Sequence, residues 1–163
     1  MSLVEKVRTL AERIIKFGIV GASGVLVNLG LYALLTRAAG LGETLLGKNV
    51  SYAASVELSI LSNFLLNDLW TFADRRGHSG FFTRLGRFHV VSLIGFGVNF
   101  GVFAGINLWL SATDSTIVGV LKLGPFDFGN VDDFIAAALG IGLAMTWNFL
   151  GNLLWTWKAG GPK

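Results

Sequence analysis

Asn49–Phe72 reads NVSYAASVELSILSNFLLNDLWTF, an apolar run long enough to cross the hydrocarbon core of a bilayer as one helix. Three more runs of similar length surround it: Phe17–Ala38, Phe88–Ser111 and Phe134–Trp157. Strands of a membrane barrel would be about half as long and would alternate in polarity, so a barrel is excluded. The four runs predict an all-α, polytopic membrane protein with four transmembrane helices. They use most of the chain, so no separate soluble domain is expected. The first run lies behind a polar stretch and is too long for the apolar region of a signal peptide, so no cleavable leader is expected there.

Composition agrees. Of 163 residues, 53% are hydrophobic and 14% charged, and the mean hydropathy is +0.64. Soluble domains carry about 25% charged residues, so these charges cannot cover a water-facing surface. The absence of Cys excludes a disulfide scaffold, a Cys-zinc site and a thiol nucleophile. The net charge of +3 is too small to argue for nucleic acid. The chain carries no P-loop, GxSxG or HExxH, and Gly95-Phe96-Gly97 lacks the last glycine of a dinucleotide loop. His78 and His89 have no ligand companions, and are read as an interfacial and a packed side chain. No cofactor, metal or covalent chemistry is expected.

The basic residues set the orientation. Lys6, Arg8, Arg13, Lys16, Arg75, Arg76, Arg84, Arg87, Lys158 and Lys163 share one side of a four-span protein, against Arg37, Lys48 and Lys122 on the other. The positive-inside rule places both termini in the cytoplasm of a cell with this protein in its inner membrane. Trp70, Trp155 and Trp157 then serve as cytoplasmic interface anchors, and Trp109 as an outer one.

The end of the opening run has a second copy. Asn63-Phe64-Leu65-Leu66-Asn67-Asp68-Leu69-Trp70-Thr71-Phe72 matches Asn148-Phe149-Leu150-Gly151-Asn152-Leu153-Leu154-Trp155-Thr156-Trp157 at an offset of 85. Spans one and three match at an offset of 71: Arg13 with Arg84, Lys16-Phe17 with Arg87-Phe88, Gly24 with Gly95, Asn28 with Asn99 and Gly30 with Gly101. The unit is a two-span hairpin, about residues 3–72 and again 74–157. Each copy has an even number of spans, so the copies share one orientation and are related by an axis along the membrane normal.

Several polar groups are costly in lipid and need partners or a wet cavity. Asn28 and Asn99 fall near the middle of their spans, where hydrogen-bonding glue between helices competes with a functional role. Asn63 with Asn67, and Asn148 with Asn152, are four apart and so share a helix face just inside a Trp anchor. Glu57 lies about three turns inside span two and reads as a proton site, an acceptor for a sugar hydroxyl or a buried neutral acid. It has no repeat counterpart, since Gly142 aligns there. Asp68 reads as a polar contact or as a hydrated helix end paired with Arg75 or Arg76.

Leu3, Val7, Leu10 and Ile14, and again Phe81, Phe82, Leu85 and Phe88, follow amphipathic spacing. They predict interfacial helices that feed into spans one and three. Arg13/Lys16 and Arg84/Arg87 are i,i+3 cationic pairs at matching repeat positions. Such pairs suit a phosphate, or attract anionic lipid and fix topology. Amide faces, Trp rings and cationic pairs should lie at one depth and form a single headgroup pocket. Gly97, Gly101 and Gly105, and Ala136, Gly140 and Ala144, form ridges for close helix packing within the bundle or across a homodimer.

With these segments the chain resembles the GtrA-like family of small four-span membrane proteins over nearly its whole length. The carrying residues are Lys16-Phe17-Gly18-Ile19-Val20-Gly21, Arg87-Phe88 and the two Asn-Phe-x-x-Asn-x-x-Trp segments. The family often has a basic residue after the second Asn, where this chain has Asp68 and Leu153, so phosphate contacts shift to Arg84, Arg87, Arg13 and Lys16. The resemblance implies flipping of a polyprenyl-phosphate-linked monosaccharide for cell-surface glycan synthesis, beside a glycosyltransferase partner and without catalysis. Asn63, Asn67, Asp68, Trp70, Asn148, Asn152 and Trp155 would hold the sugar, with Glu57, Asn28 and Asn99 along the path. Removing the charges of Arg84 and Arg87 is expected to abolish transport and leave folding intact. The rivals are a non-transporting anchor for a glycosyltransferase and a proton-coupled exporter that depends on Glu57.

Overall fold

Ser2 caps the first helix: its hydroxyl accepts from the Glu5 backbone N–H, and the Glu5 carboxylate accepts from the Ser2 N–H at 2.7 Å. This reciprocal box satisfies two orphan donors of the first turn. From it α1 runs unbroken over Leu3–Ala33 and ends in a π-helical turn, Leu34–Ala38. A computed structural model of the chain describes residues 2–123 and 126–158, with residue 78 and residues 121–130 described by backbone alone. Lys163, and the side chains of His78, Lys122 and Asp127, lie outside the described part.

After a short 3-10 turn at Leu41–Glu43, Thr44 caps α2 by accepting from the Gly47 N–H, and α2 covers Leu45–Leu66. It passes into a second π-helical turn, Asn67–Thr71. A 3-10 segment, Ala73–His78, leads to α3, Phe81–Thr113. Then come strands β1, Val120–Leu123, and β2, Phe126–Asn130, which pair antiparallel. The last helix, α4, covers Asp132–Gly151 and ends in a third π-helical turn, Asn152–Thr156.

Among the described residues, three helical stretches are long and apolar enough to cross a membrane: Leu3–Ala38, Phe81–Thr113 and Asp132–Thr156. Four were expected. The second, α2 with its π-turn, falls short in composition, because Ser51, Ser55, Glu57, Ser59, Ser62 and Asn63 dilute it. One further expectation needs correction. No break separates the amphipathic segments from spans one and three; α1, at 1.5 Å per residue, is about 46 Å long and outreaches a 30 Å core in one piece. The β1–β2 hairpin lies between α3 and α4 in the chain. Asp132 secures its approach, with its carboxylate accepting from the N–H groups of Ile117, Val118 and Gly119 at 2.9–3.2 Å.

The chain divides into two compact units, 1–89 with 153–163, and 90–152. In the first, α1 and α2 pack antiparallel, and an aromatic cluster fills the end where α2 finishes. Phe64, Phe72 and Trp157 are fully enclosed there. Phe72 stacks on Trp157 at 4.6 Å between centroids, and Phe17 meets Phe72 edge-on. In the second unit α3 and α4 pack antiparallel around Val91, Ala136, Ala144 and Phe149, and the Trp147 indole donates to the Val91 carbonyl. Large apolar side chains such as Leu26 and Leu45 stay more than 70% exposed, as lipid-facing residues should.

Candidate functional site

The α1–α2 seam is set by Gly24. A Cβ there would lie 2.3–2.7 Å from the Asn63 side chain, so only glycine admits that amide. One turn away the Ser59 hydroxyl donates to the Gly24 carbonyl, and the Ser55 hydroxyl donates to Asn28 Oδ1, each at 2.7 Å. Asn28 thus acts as interhelical glue. The α3–α4 seam repeats the design within the second unit. A Cβ on Gly95 would strike the Asn148 side chain, and one on Gly140 would strike Asn99. Asn99 also borders an open apolar groove with Phe96, Phe100 and Ala137. A Cβ on Gly97, Gly101 or Gly105 would meet no described atom within 4 Å beyond its own helix backbone.

Below each seam the helix widens into its π-turn. The Asn67 amide donates back to the Asn63 carbonyl at 2.9 Å, and Asn152 does the same to Asn148 at 2.8 Å. Such local bonding competes with the helical ladder and bends it. The acceptor atoms are left over: Oδ1 of Asn63, Asn67, Asn148 and Asn152, and Oγ1 of Thr71 and Thr156, are buried without partners among the described residues. Each such group costs about 1–3 kcal/mol unless water or a ligand meets it.

Beside the π-turns stand two cation–aromatic pairs in the first unit. Lys16 Nζ lies 5.6 Å from the Trp70 ring centroid, and the Arg87 guanidinium carbon 5.7 Å from that of Trp155. Arg87 also donates to the Trp155 carbonyl. By the offsets of 71 and 85 these pairs are copies of one another. Both Trp rings are more than 40% exposed, so each pair presents a cation and a ring at the surface.

Arg84 behaves differently. It is buried and grips Asp68 bidentately, Nε to Oδ1 at 2.7 Å and Nη2 to Oδ2 at 3.1 Å. Its Nη1 donates to the carbonyls of Arg76 and Ser79, which uses four of its five N–H donors. The Trp157 indole donates to the same Asp68 oxygen at 2.9 Å. Asp68 is therefore neither hydrated nor paired with Arg75 or Arg76, and Arg84 is taken up by protein. Its copy Arg13 has a different fate because Leu153 stands where Asp68 does, and Phe72 where Trp157 does. Arg13 pairs with the exposed Asp74 at 2.5 Å. Arg75 donates to the carbonyls of Leu153 and Trp157. Burial, then the nearby Arg13 cation, holds its pKa below the usual arginine value, with Asp74 opposing.

Glu57 is exposed, so it is not a buried neutral acid, and its Oε1 lies 2.8 Å from His89 Nε2, while His89 Nδ1 lies 3.2 Å from the Leu85 carbonyl. The pairing escaped sequence reading because His89 has no near neighbour in the chain that signals it. The Trp157–Asp68 bond escaped it too, the ring having been read only as an anchor. Within the ten-residue repeat, the copies differ in polarity where Asp68 aligns with Leu153 and Phe72 with Trp157.

Over 93 residues the chain is 48% identical to a protein named dolichol-phosphate mannosyltransferase from Pyrococcus furiosus, a match that covers 56% of this chain and 24% of that protein. The chain thus spans about a quarter of that relative's length. The family described as "GtrA/DPMS, transmembrane domain" matches residues 16–157, from Lys16 at the first cation–ring pair to Trp157 in the aromatic cluster. With nearly all of its length so matched, this chain belongs to the GtrA/DPMS transmembrane-domain family.

Proposed function

We propose that the chain is a four-span flippase that moves a polyprenyl-phosphate-linked monosaccharide between leaflets and catalyses no reaction itself. The observation that carries this reading is the duplicated cation–ring pair, Lys16 on Trp70 and Arg87 on Trp155. A cation offers charge to a phosphate, and a half-exposed indole offers a stacking face to a sugar. The orphaned amide and hydroxyl acceptors of the π-turns suit sugar hydroxyls. The matching seams support two parallel hairpin copies, 3–72 and 74–157, with α2 as the fourth span. Both termini lie on the cytoplasmic side of the inner membrane, where ten basic residues collect. The open Gly97–Gly105 ridge serves a homodimer.

Lys16 and Arg87 are the phosphate ligands of this reading, and Arg84 leaves that role for a structural one. The test is leaflet-resolved transport of a defined polyprenyl-phosphate sugar by purified protein in liposomes. The wild type should transport. Lys16→Ala with Arg87→Ala should fall at least about tenfold while remaining folded, since each exposed cation–ring pair contributes only about 0.5–1 kcal/mol. A wild type that moves no lipid overturns the function, and a double variant at native rate overturns the phosphate site.

One observation favours a second reading. The mannosyltransferase relative carries its matching segment as 24% of its length, as expected of a membrane anchor for a glycosyltransferase. That role predicts tight co-purification with such an enzyme and no flipping by this chain alone.

A further inference from the structure

Polar residues recur at every fourth position along α2 and its π-turn: Ser51, Ser55, Ser59, Asn63, Asn67 and Thr71. At the standard helical rise the row covers about 30 Å, the thickness of the hydrocarbon core. Ser51, Ser55, Ser59, Asn67 and Thr71 are all buried, and α1 covers the middle of the row through Asn28 and Gly24.

Close packing does not require this polarity. At the offset of 85, α4 carries Ala136, Gly140 and Ala144 opposite Ser51, Ser55 and Ser59, and then Asn148, Asn152 and Thr156. Those three small apolar residues are equally buried, and Gly140 admits Asn99 as closely as a seam allows. One copy of the hairpin therefore keeps its polar row only at the π-turn end, and the other keeps it across the full span. Helix glue accounts for Ser55 and Ser59, which have partners. It does not account for Ser51 Oγ, fully buried at one end of the row with no partner among the described residues, whereas the orphaned acceptors of Asn67 and Thr71 at the other end recur at Asn152 and Thr156. A stranded hydroxyl in a dry seam is a cost with no return in packing.

We propose that the α1–α2 seam is the track of the carrier: it opens, and the hydroxyl-rich headgroup crosses the bilayer along the Ser51–Thr71 row, while the α3–α4 seam stays shut. This inference rests on the flippase reading. The headgroup exchanges hydrogen bonds from one hydroxyl to the next at one-turn intervals, and its prenyl tail stays in lipid. Ser55 and Ser59 release Asn28 and the Gly24 carbonyl as it passes.

The natural chain has no Cys, so single cysteines report without background. In liposomes, Ser51→Cys and Ser59→Cys should react with a charged, water-soluble methanethiosulfonate, and the counterparts Ala136→Cys and Ala144→Cys should stay inert. The variant Ser51→Ala with Ser59→Ala gives α2 the residues that α4 already carries at those places, so it should fold. Its transport of a polyprenyl-phosphate sugar should drop about tenfold, the effect of two lost hydroxyl contacts in the barrier. Inert thiols at 51 and 59, or equal reactivity on α4, overturn the track whatever the protein carries. Reactive thiols with native transport by the alanine variant also overturn it, since water alone then uses the seam. A wild type that moves no lipid overturns the function instead, and the labelling pattern still decides whether the seam opens.

Discussion

Replacing Arg84 by Met removes the cation from a buried pair and leaves Asp68 with only the Trp157 indole. Four hydrogen bonds go with it, two to the carboxylate and two to the carbonyls of Arg76 and Ser79. Breaking a buried pair on one side costs about 3–5 kcal/mol, because the remaining charge stays desolvated. For a chain of this size about 1 kcal/mol moves the melting midpoint by 2–4 °C, so Arg84→Met should melt roughly 6–20 °C below wild type. Asp68→Leu should cost a similar amount by stranding Arg84. The double variant Arg84→Met/Asp68→Leu should recover most of the loss, since Leu153 shows that the copied position accepts leucine. The assay is thermal unfolding of the purified protein in detergent, read as a double-mutant cycle. If Arg84→Met melts with the wild type and loses only transport, Arg84 is a substrate ligand as its sequence position suggested, and the assignment of Asp68–Arg84–Trp157 as a structural lock fails. Equal losses that simply add in the double variant would refute the coupling.

Gly24→Ala should destabilise the protein by about 1–3 kcal/mol, because its Cβ meets the Asn63 amide, and Gly95→Ala should do the same against Asn148. Gly21→Ala, in open space, serves as the control, and thermal melts compare the three. Asp132→Ala should loosen the approach to the hairpin: three N–H bonds to one carboxylate are lost, and amide hydrogen exchange at residues 117–119 should quicken by roughly tenfold or more. Glu57→Gln keeps a partner for His89 and should leave the melting midpoint within about 2 °C, as expected of a partly exposed pair. Its transport then tells whether the acid works in the path or only on the helix surface.

Much was legible in the chain itself. Long apolar runs require helices, since lipid offers no partner for an open backbone. Offsets of 71 and 85 picked out Asn63 with Asn148, Gly24 with Gly95 and Lys16 with Arg87, and each of these meets an equivalent partner in its own copy. Repetition in sequence carries over to local contact because the same side chains at the same spacing meet the same neighbouring helix. The π-turns and the β hairpin were not legible. A π-turn differs from an α-turn by one register of hydrogen bonding, and no residue type demands it. Nor did the serines of α2 stand out in a reading centred on amides and charges, although their four-residue spacing was there to be found.

Membrane setting, helical class and the positions of the duplicated amides, cations and rings all follow from local chemistry at fixed spacing along the chain. Which cation is spent depends on how the helices pack. Arg13 and Arg84 are equivalent in the repeat, yet Arg84 is locked onto Asp68 under Trp157, while Arg13 reaches an exposed acid. That choice depends on which acid packing brings to each guanidinium, buried Asp68 to Arg84 and exposed Asp74 to Arg13, and a charge in a buried place goes where its counter-charge is.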